Sequence, residues 1–272
     1  MQMDMIEIET GEEPLHGLFY SGRGAVRGTV MILHGNCHNF YTGPSRFLPP
    51  VLVERGYHCL AYNRRGHDMV TSTYGREIGG GAFQTSAQAI EDNRLAAAWL
   101  KARGLAAPIL VGHSNGGMLA AQHAADHPDT PLLVMLSAHC GGRDIARLNS
   151  RNGLWAKDQF EPLLAQAQTL VAQGQGRSLM LLPGWWWVIS AEAFLDYAGG
   201  VPDTVGQAPR IKCPSLVLRG DQENPEIYPT DRFKAQAQAL CDVRIIEACD
   251  HFYTGKETQI AHLVADWIDA NL

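Results

Sequence analysis

Six short, almost uninterrupted apolar runs constrain this chain most strongly: "TVMILHG", "HCLAYN", "PILVG", "PLLVMLS", "PSLVLRG" and "VRIIEA". A strand exposed on one face alternates apolar and polar residues; these runs do not, so each is predicted to be buried on both faces. Helical stretches lie between them. That alternation is the pattern of a parallel sheet wrapped by helices. Ahead of the runs, residues 5–9 and 15–20 do alternate, which predicts a leading pair of half-exposed strands at a sheet edge. A chain of 272 residues is long enough to bury the core of one large α/β domain.

The clearest helix is "TSAQAIEDNRLAAAWLKARG", where Ala89, Ile90, Ala96, Ala97 and Leu100 share one face and Gly104 ends it. Pro49 and Pro50 are expected in the first turn of a helix ending near Arg55, because only there is a missing N–H harmless. A long loop over residues 34–48 follows from that placement. The C-terminal "KETQIAHLVADWIDANL" is predicted to be the last helix, with Ile260, Leu263, Val264, Trp267 and Ile268 facing inward. Residues 141–209 break the rhythm: they contain no recognisable strand run and are rich in helix formers. They are predicted to be a helical cap inserted between two parts of one core domain, residues 1–140 and 210–272.

At 112–116 stands "GHSNG", a G-x-S-x-G pentapeptide between an apolar run and a helical stretch. In that context the motif predicts a sharp turn carrying an exposed serine, Ser114. Gly112 and Gly116 fit because strand and helix backbones pass close there, which a serine that merely caps a helix does not require. A serine hydroxyl needs a base, and the base needs an orienting acid. "RGDQENP" puts Asp221 at the end of one strand and "CDHFYTG" puts His251 after the next. The order Ser114, Asp221, His251 is the one such a sheet uses. Glu223, two residues past the strand end, and Asp250, adjacent to the base, are weaker rivals for the acid. Backbone N–H groups for a developing oxyanion are expected from Asn115 and from "HGNCHN", where Asn36 is preferred and Cys37 is the alternative.

"LHGN", "YNRRGHD", "GHSNGG", "RGDQENP" and "DHFYTG" together resemble, in order and spacing, the landmarks of the α/β-hydrolase-fold serine hydrolases over nearly the whole chain. The resemblance implies an eight-stranded, mostly parallel sheet flanked by helices, with the cap inserted after the sixth strand. It carries the nucleophile role to Ser114, the acid to Asp221, the base to His251 and the oxyanion donors to Asn36 and Asn115. Cys37 and His38 depart from the glycine, proline or bulky apolar residues commoner in that loop.

The remaining signals bear on the ligand. In "GWWWVIS", Trp185, Trp186 and Trp187 on a helix would point about 100° apart and could not all enter one core, so either at least one faces a pocket or the cap's inner wall, or they pack the cap onto the main domain. His113, His139 and Phe252 are further candidates for substrate contact. Arg143, Arg147 and Arg151 are read as a solvated face, and "IGGG" at 78–81, within "YGREIGGGAF", as a mobile loop beside the site. A net charge of -6 provides no basic field for nucleic acid or anionic membrane. The acidic opening "MQMDMIEIETGEEP" lacks the features of a secretory signal, so a cytoplasmic protein is expected. Six scattered cysteines and no H-E-x-x-H spacing argue for free thiols, no metal and no cofactor. The expected reaction is hydrolysis of a carboxylic ester or thioester of a small to medium, partly apolar substrate. Alternatives are acyl transfer, carbon-carbon bond hydrolysis or amide hydrolysis on the same residues, and a binding module without turnover.

Overall fold

The computed structural model of the protein describes residues 1–72 and 77–272. In chain order the strands are β1 (Met3–Ile8), β2 (Leu15–Tyr20), β3 (Gly28–Leu33), β4 (Tyr57–Tyr62), β5 (Ile109–His113), β6 (Leu133–Leu136), β7 (Leu179–Leu182), β8 (Trp187–Ser190), β9 (Ser215–Gly220) and β10 (Cys241–Ile246). The helices are α1 (Pro44–Glu54), α2 (Ser86–Lys101), α3 (Asn115–Asp126), α4 (Ile145–Arg151), α5 (Phe160–Ala172), α6 (Ala191–Gly199), α7 (Thr204–Gln207), α8 (Thr230–Gln236) and α9 (Glu257–Asn271). Eight strands form one sheet in the order β1-β2-β4-β3-β5-β6-β9-β10. The β1–β2 and β2–β4 pairs are antiparallel and every other pair is parallel.

Each buried strand sends alternate side chains to two cores. Met31 and Leu33 of β3 join Met118 and Leu119 of α3 on one face, while Val30 and Ile32 join Leu52 of α1 and Val264 of α9 on the other. These strands bury both faces, which is why they read as continuous apolar runs. Register then places the site. His113 of β5 lies opposite Leu136 of β6, Leu136 opposite Leu218 of β9, and Gly220 of β9 opposite Ile246 of β10. Whatever follows these strands therefore emerges at one edge of the sheet.

The helix containing Pro49 and Pro50 starts at Pro44 rather than at the prolines, so the loop before it is shorter than expected and both prolines lie inside α1. Interior prolines cost about 3 kcal/mol or more each. Against this, Leu48, Leu52 and Val53 are completely buried, each contributing about 1.5–3 kcal/mol. Pro44 at the helix start also supplies a preset φ. Helix α2 begins as the sequence suggests, with Thr85 and Gln88 forming a reciprocal capping box.

Between β6 and β9 the chain is not wholly helical. Residues 179–190 form an antiparallel hairpin, β7 with β8; Gly184, Trp185 and Trp186 lie in its turn and Trp187 opens β8, so "GWWW" is not helical. Met180, Leu182 and Ile189 bury one face of the hairpin against α5 and α6, while Leu179 and Leu181 stay exposed. Burial alternates along "LMLL", but all four residues are apolar, so the sequence shows no alternation there. Trp186 and Trp187 both have positive φ, 75° and 63°, so the turn is strained. Trp155, fully buried, stacks on Phe194 at 4.6 Å and anchors this segment. Arg143, Arg147 and Arg151 are exposed, and Arg147 pairs with Glu161. Of the glycine-rich loop, residues 74–76 lie outside the described residues. Within 78–81, Gly79 exchanges backbone hydrogen bonds with Thr71 at 3.0 and 2.7 Å.

Candidate active site

Strand β5 runs directly into Ser114, whose φ of 56° and ψ of -119° put it in a strained turn before α3. The neighbouring glycines make the turn possible. A Cβ on Gly112 would sit 2.2 Å from the Gly116 carbonyl oxygen, and one on Gly116 would sit 2.2 Å from that of Leu33. The Ser114 N–H donates to the Leu136 carbonyl at 2.9 Å, tying the turn to β6.

The loop after β10 brings His251 over this serine, with 3.1 Å between Nε2 and Ser114 Oγ. On the far side of the ring, Nδ1 lies 2.6 Å from Glu223 Oε1. With Nδ1–H donating to the carboxylate, Nε2 is left free to accept the serine proton. The ring is also held through its backbone: His113 Nε2–H donates to the His251 carbonyl oxygen at 2.9 Å. Burial and the nearby His251 push the His113 imidazole well below its ordinary pKa, so it stays neutral.

Asp221 does not face His251. Its carboxylate is exposed and accepts from the N–H groups of Ala248 and Cys249, at 3.0 and 3.1 Å. Those hydrogen bonds hold its pKa below the usual carboxylate value. The geometry follows from the end of β9: Asp221 N–H still bonds Ile246, so Asp221 continues the ladder and turns its side chain toward the β10 loop. The chain then folds back, and Glu223 Oε2 accepts from the Gly220 N–H at 2.7 Å. Ser137 Oγ donates to the same oxygen at 2.6 Å and accepts from the Tyr253 hydroxyl at 2.8 Å. Glu223 is thereby buried and fully oriented. Asp250 is occupied elsewhere, accepting from the N–H groups of Phe252 and Thr254.

Among the described residues, the backbone N–H groups of Asn36, Cys37 and Asn115 make no hydrogen bond. Asn36, Cys37 and Asn115 line, with Ser114 and His251, a cavity of about 460 Å³. Cys37 has φ of 54°, and burial first, then Asp68, pushes its thiol up to about 12, so it is not a thiolate. The other sequence candidates, His113, His139, Trp185, Trp186, Trp187 and Phe252, all line the same cavity. Trp187, 71 % exposed, stands at its mouth. His139 accepts from the Gly141 N–H through Nδ1 at 3.0 Å, and burial, then His251, lowers its pKa to about 4. It is a neutral Nε2–H tautomer. Tyr197 and Tyr228 also line the cavity, and neither stood out in the sequence because their helical and loop segments carry no motif. Among the described residues no group of three His, Cys, Asp or Glu side chains is arranged to hold a metal ion. Among them, too, no helix is long and apolar enough to cross a membrane.

The model of the alpha/beta hydrolase family matches residues 30–262, and the chain belongs to that family. Solved structures agree on the fold. Est1E from Butyrivibrio proteoclasticus with ferulic acid bound is 17% identical with a TM-score of 0.74, each chain covered to 98%. A highly thermostable carboxyl esterase from Bacillus coagulans is 14% identical with a TM-score of 0.69, over 100% of this chain and 99% of that one. A dienelactone hydrolase from Anabaena variabilis is 18% identical with a TM-score of 0.62, over 100% and 98%. No curated protein matches the chain in sequence.

Proposed function

We propose that the protein is a serine hydrolase that cleaves a carboxylic ester or thioester through an acyl-enzyme on Ser114. The observation that carries this reading is the continuous line of hydrogen bonds from Ser114 Oγ to His251 and from His251 to the buried Glu223. Ser114 attacks the carbonyl carbon as its proton passes to His251 Nε2, and Glu223 stabilises the imidazolium. The carbonyl oxygen becomes an oxyanion that accepts from the N–H groups of Asn36 and Asn115, the latter at the positive end of α3. Breakdown expels the alkoxide or thiolate, which takes the proton from His251. Water repeats the sequence and frees the acid.

The cavity supports a partly apolar substrate, since Trp185, Trp186, Trp187, Tyr197, Tyr228 and Phe252 supply its walls. Residues 141–209, which contribute the hairpin turn to those walls, act as the cap. A structural neighbour that holds ferulic acid makes esters of aromatic acids the first to try. The test is labelling with a fluorophosphonate, with the adduct located by peptide mass spectrometry, followed by a panel of alkyl and aryl esters and thioesters. Label at Ser114 that is lost in Ser114→Ala and strongly reduced in His251→Ala, together with turnover, is the expected result. A folded protein that neither labels nor turns over any ester refutes the reading.

A further inference from the structure

Arg64 follows β4 and is completely enclosed, at 0% exposure. Among the described residues it has no ion-pair partner: the nearby Asp92 carboxylate is taken by Arg65, whose Nε and backbone N–H both donate to it at 2.8 Å. Arg64 Nε and Nη1 have no hydrogen-bond partner. Burying a guanidinium without a carboxylate bonded to it is costly.

The contacts that Arg64 does make run to two places. Its Nη2 donates to Asn115 Oδ1 at 3.3 Å. Its backbone N–H donates to His34 Nε2 at 3.1 Å, and His34 Nδ1–H in turn donates to the Gly35 carbonyl oxygen at 2.7 Å. One residue thus ties the turn that leads into Asn36 to the residue directly after Ser114. Burial first, then Arg64, keeps His34 neutral, so the chain of donors runs in one direction only.

We propose that Arg64 is a positioning residue for the hydrolytic reaction, its side chain holding Asn115 in place and setting a positive charge with no directly bonded carboxylate behind the forming oxyanion. The inference rests on the serine-hydrolase reading. Such a charge acts only when negative charge develops on the substrate oxygen, so it favours the transition state over the bound ester.

The test compares native protein, Arg64→Met, Arg64→Gln, Arg64→Lys and Asn115→Ala on the best ester of the panel, with thermal unfolding and inhibition by a phenylboronic acid measured alongside. Arg64→Met is expected to lower kcat about 10- to 100-fold with KM changed less than about threefold. Boronate affinity falls by a similar factor, Tm stays at or above the native value, and Arg64→Lys recovers part of kcat. In a double-mutant cycle the Arg64→Met and Asn115→Ala effects are non-additive. Native kcat in a folded Arg64→Met variant overturns the inference while leaving the hydrolase reading intact. Should Arg64→Met fail to fold, native kcat and boronate affinity in a folded Arg64→Gln overturn it equally. A native protein without turnover or labelling removes both.

Discussion

The Glu223 carboxylate bridges His251 and the end of its own strand: Oε1 lies 2.6 Å from His251 Nδ1, and Oε2 lies 2.7 Å from the Gly220 amide. Because a tight turn separates Gly220 from Glu223, the acid is held by the same backbone that ends β9. The long side chain of a glutamate spans the gap that the fold-back leaves.

That relationship separates two variants cleanly. Glu223→Gln is expected to lower kcat on an ester by about 10²–10⁴-fold, since it removes the charge that stabilises the imidazolium. Asp221→Asn leaves kcat within about threefold, because its carboxylate bonds only backbone. Steady-state kinetics on both variants decides it, and equal losses would restore Asp221 to the site.

Ser137 tests the support behind the acid. Its hydroxyl links Glu223 to Tyr253. Ser137→Ala deletes one of the bonds that orient the carboxylate and leaves the Gly220 bond in place, so kcat is expected to fall about tenfold with KM nearly unchanged. Unchanged kcat would show that the backbone bond alone suffices.

Gly116→Ala tests the turn itself. The added methyl would meet Leu33 and His34 carbonyl oxygens at 2.2 and 2.5 Å, both on backbone that cannot move independently of β3. A loss of about 3 kcal/mol or more in urea unfolding is expected. Gly199→Ala, where a Cβ meets nothing within 4 Å, is the control and is expected within about 1 kcal/mol of native.

Acid stability follows from buried histidines. Burial first, then His127, lowers His123 from 6.5 to about 4, and it stacks on His127 at 4.1 Å. Between those pH values the unfolded chain binds the proton and the folded one does not, so the stability present above pH 6.5 is lost as pH falls toward about 4. His123→Gln is expected to flatten this part of the stability curve by about 1 kcal/mol per pH unit, read from urea midpoints across the range. An unchanged slope would mean that His123 titrates normally in the fold.

What the amino-acid order determined is local or periodic. Most of the apolar runs became parallel strands in which burial on both faces leaves no position for a polar residue, whereas "VRIIEA" became the edge strand β10 and exposes Arg244 and Ile245. The glycines around Ser114 marked the turn because side chains do not fit there. Tertiary structure decided the rest. Pro49 and Pro50 sit inside α1 because packing of Leu48, Leu52 and Val53 outweighs two lost hydrogen bonds, and packing partners cannot be read from one segment. The hairpin at residues 179–190 was hidden because its strands, "LMLL" and "WVIS", are only four residues long and carry no apolar/polar alternation. The sequence favoured Asp221 over Glu223 because Asp221 stands directly at the strand end; the choice depends on how the ladder with β10 runs past Gly220 and then turns back. That is a property of two strands and a turn together, and no stretch of either sequence contains it.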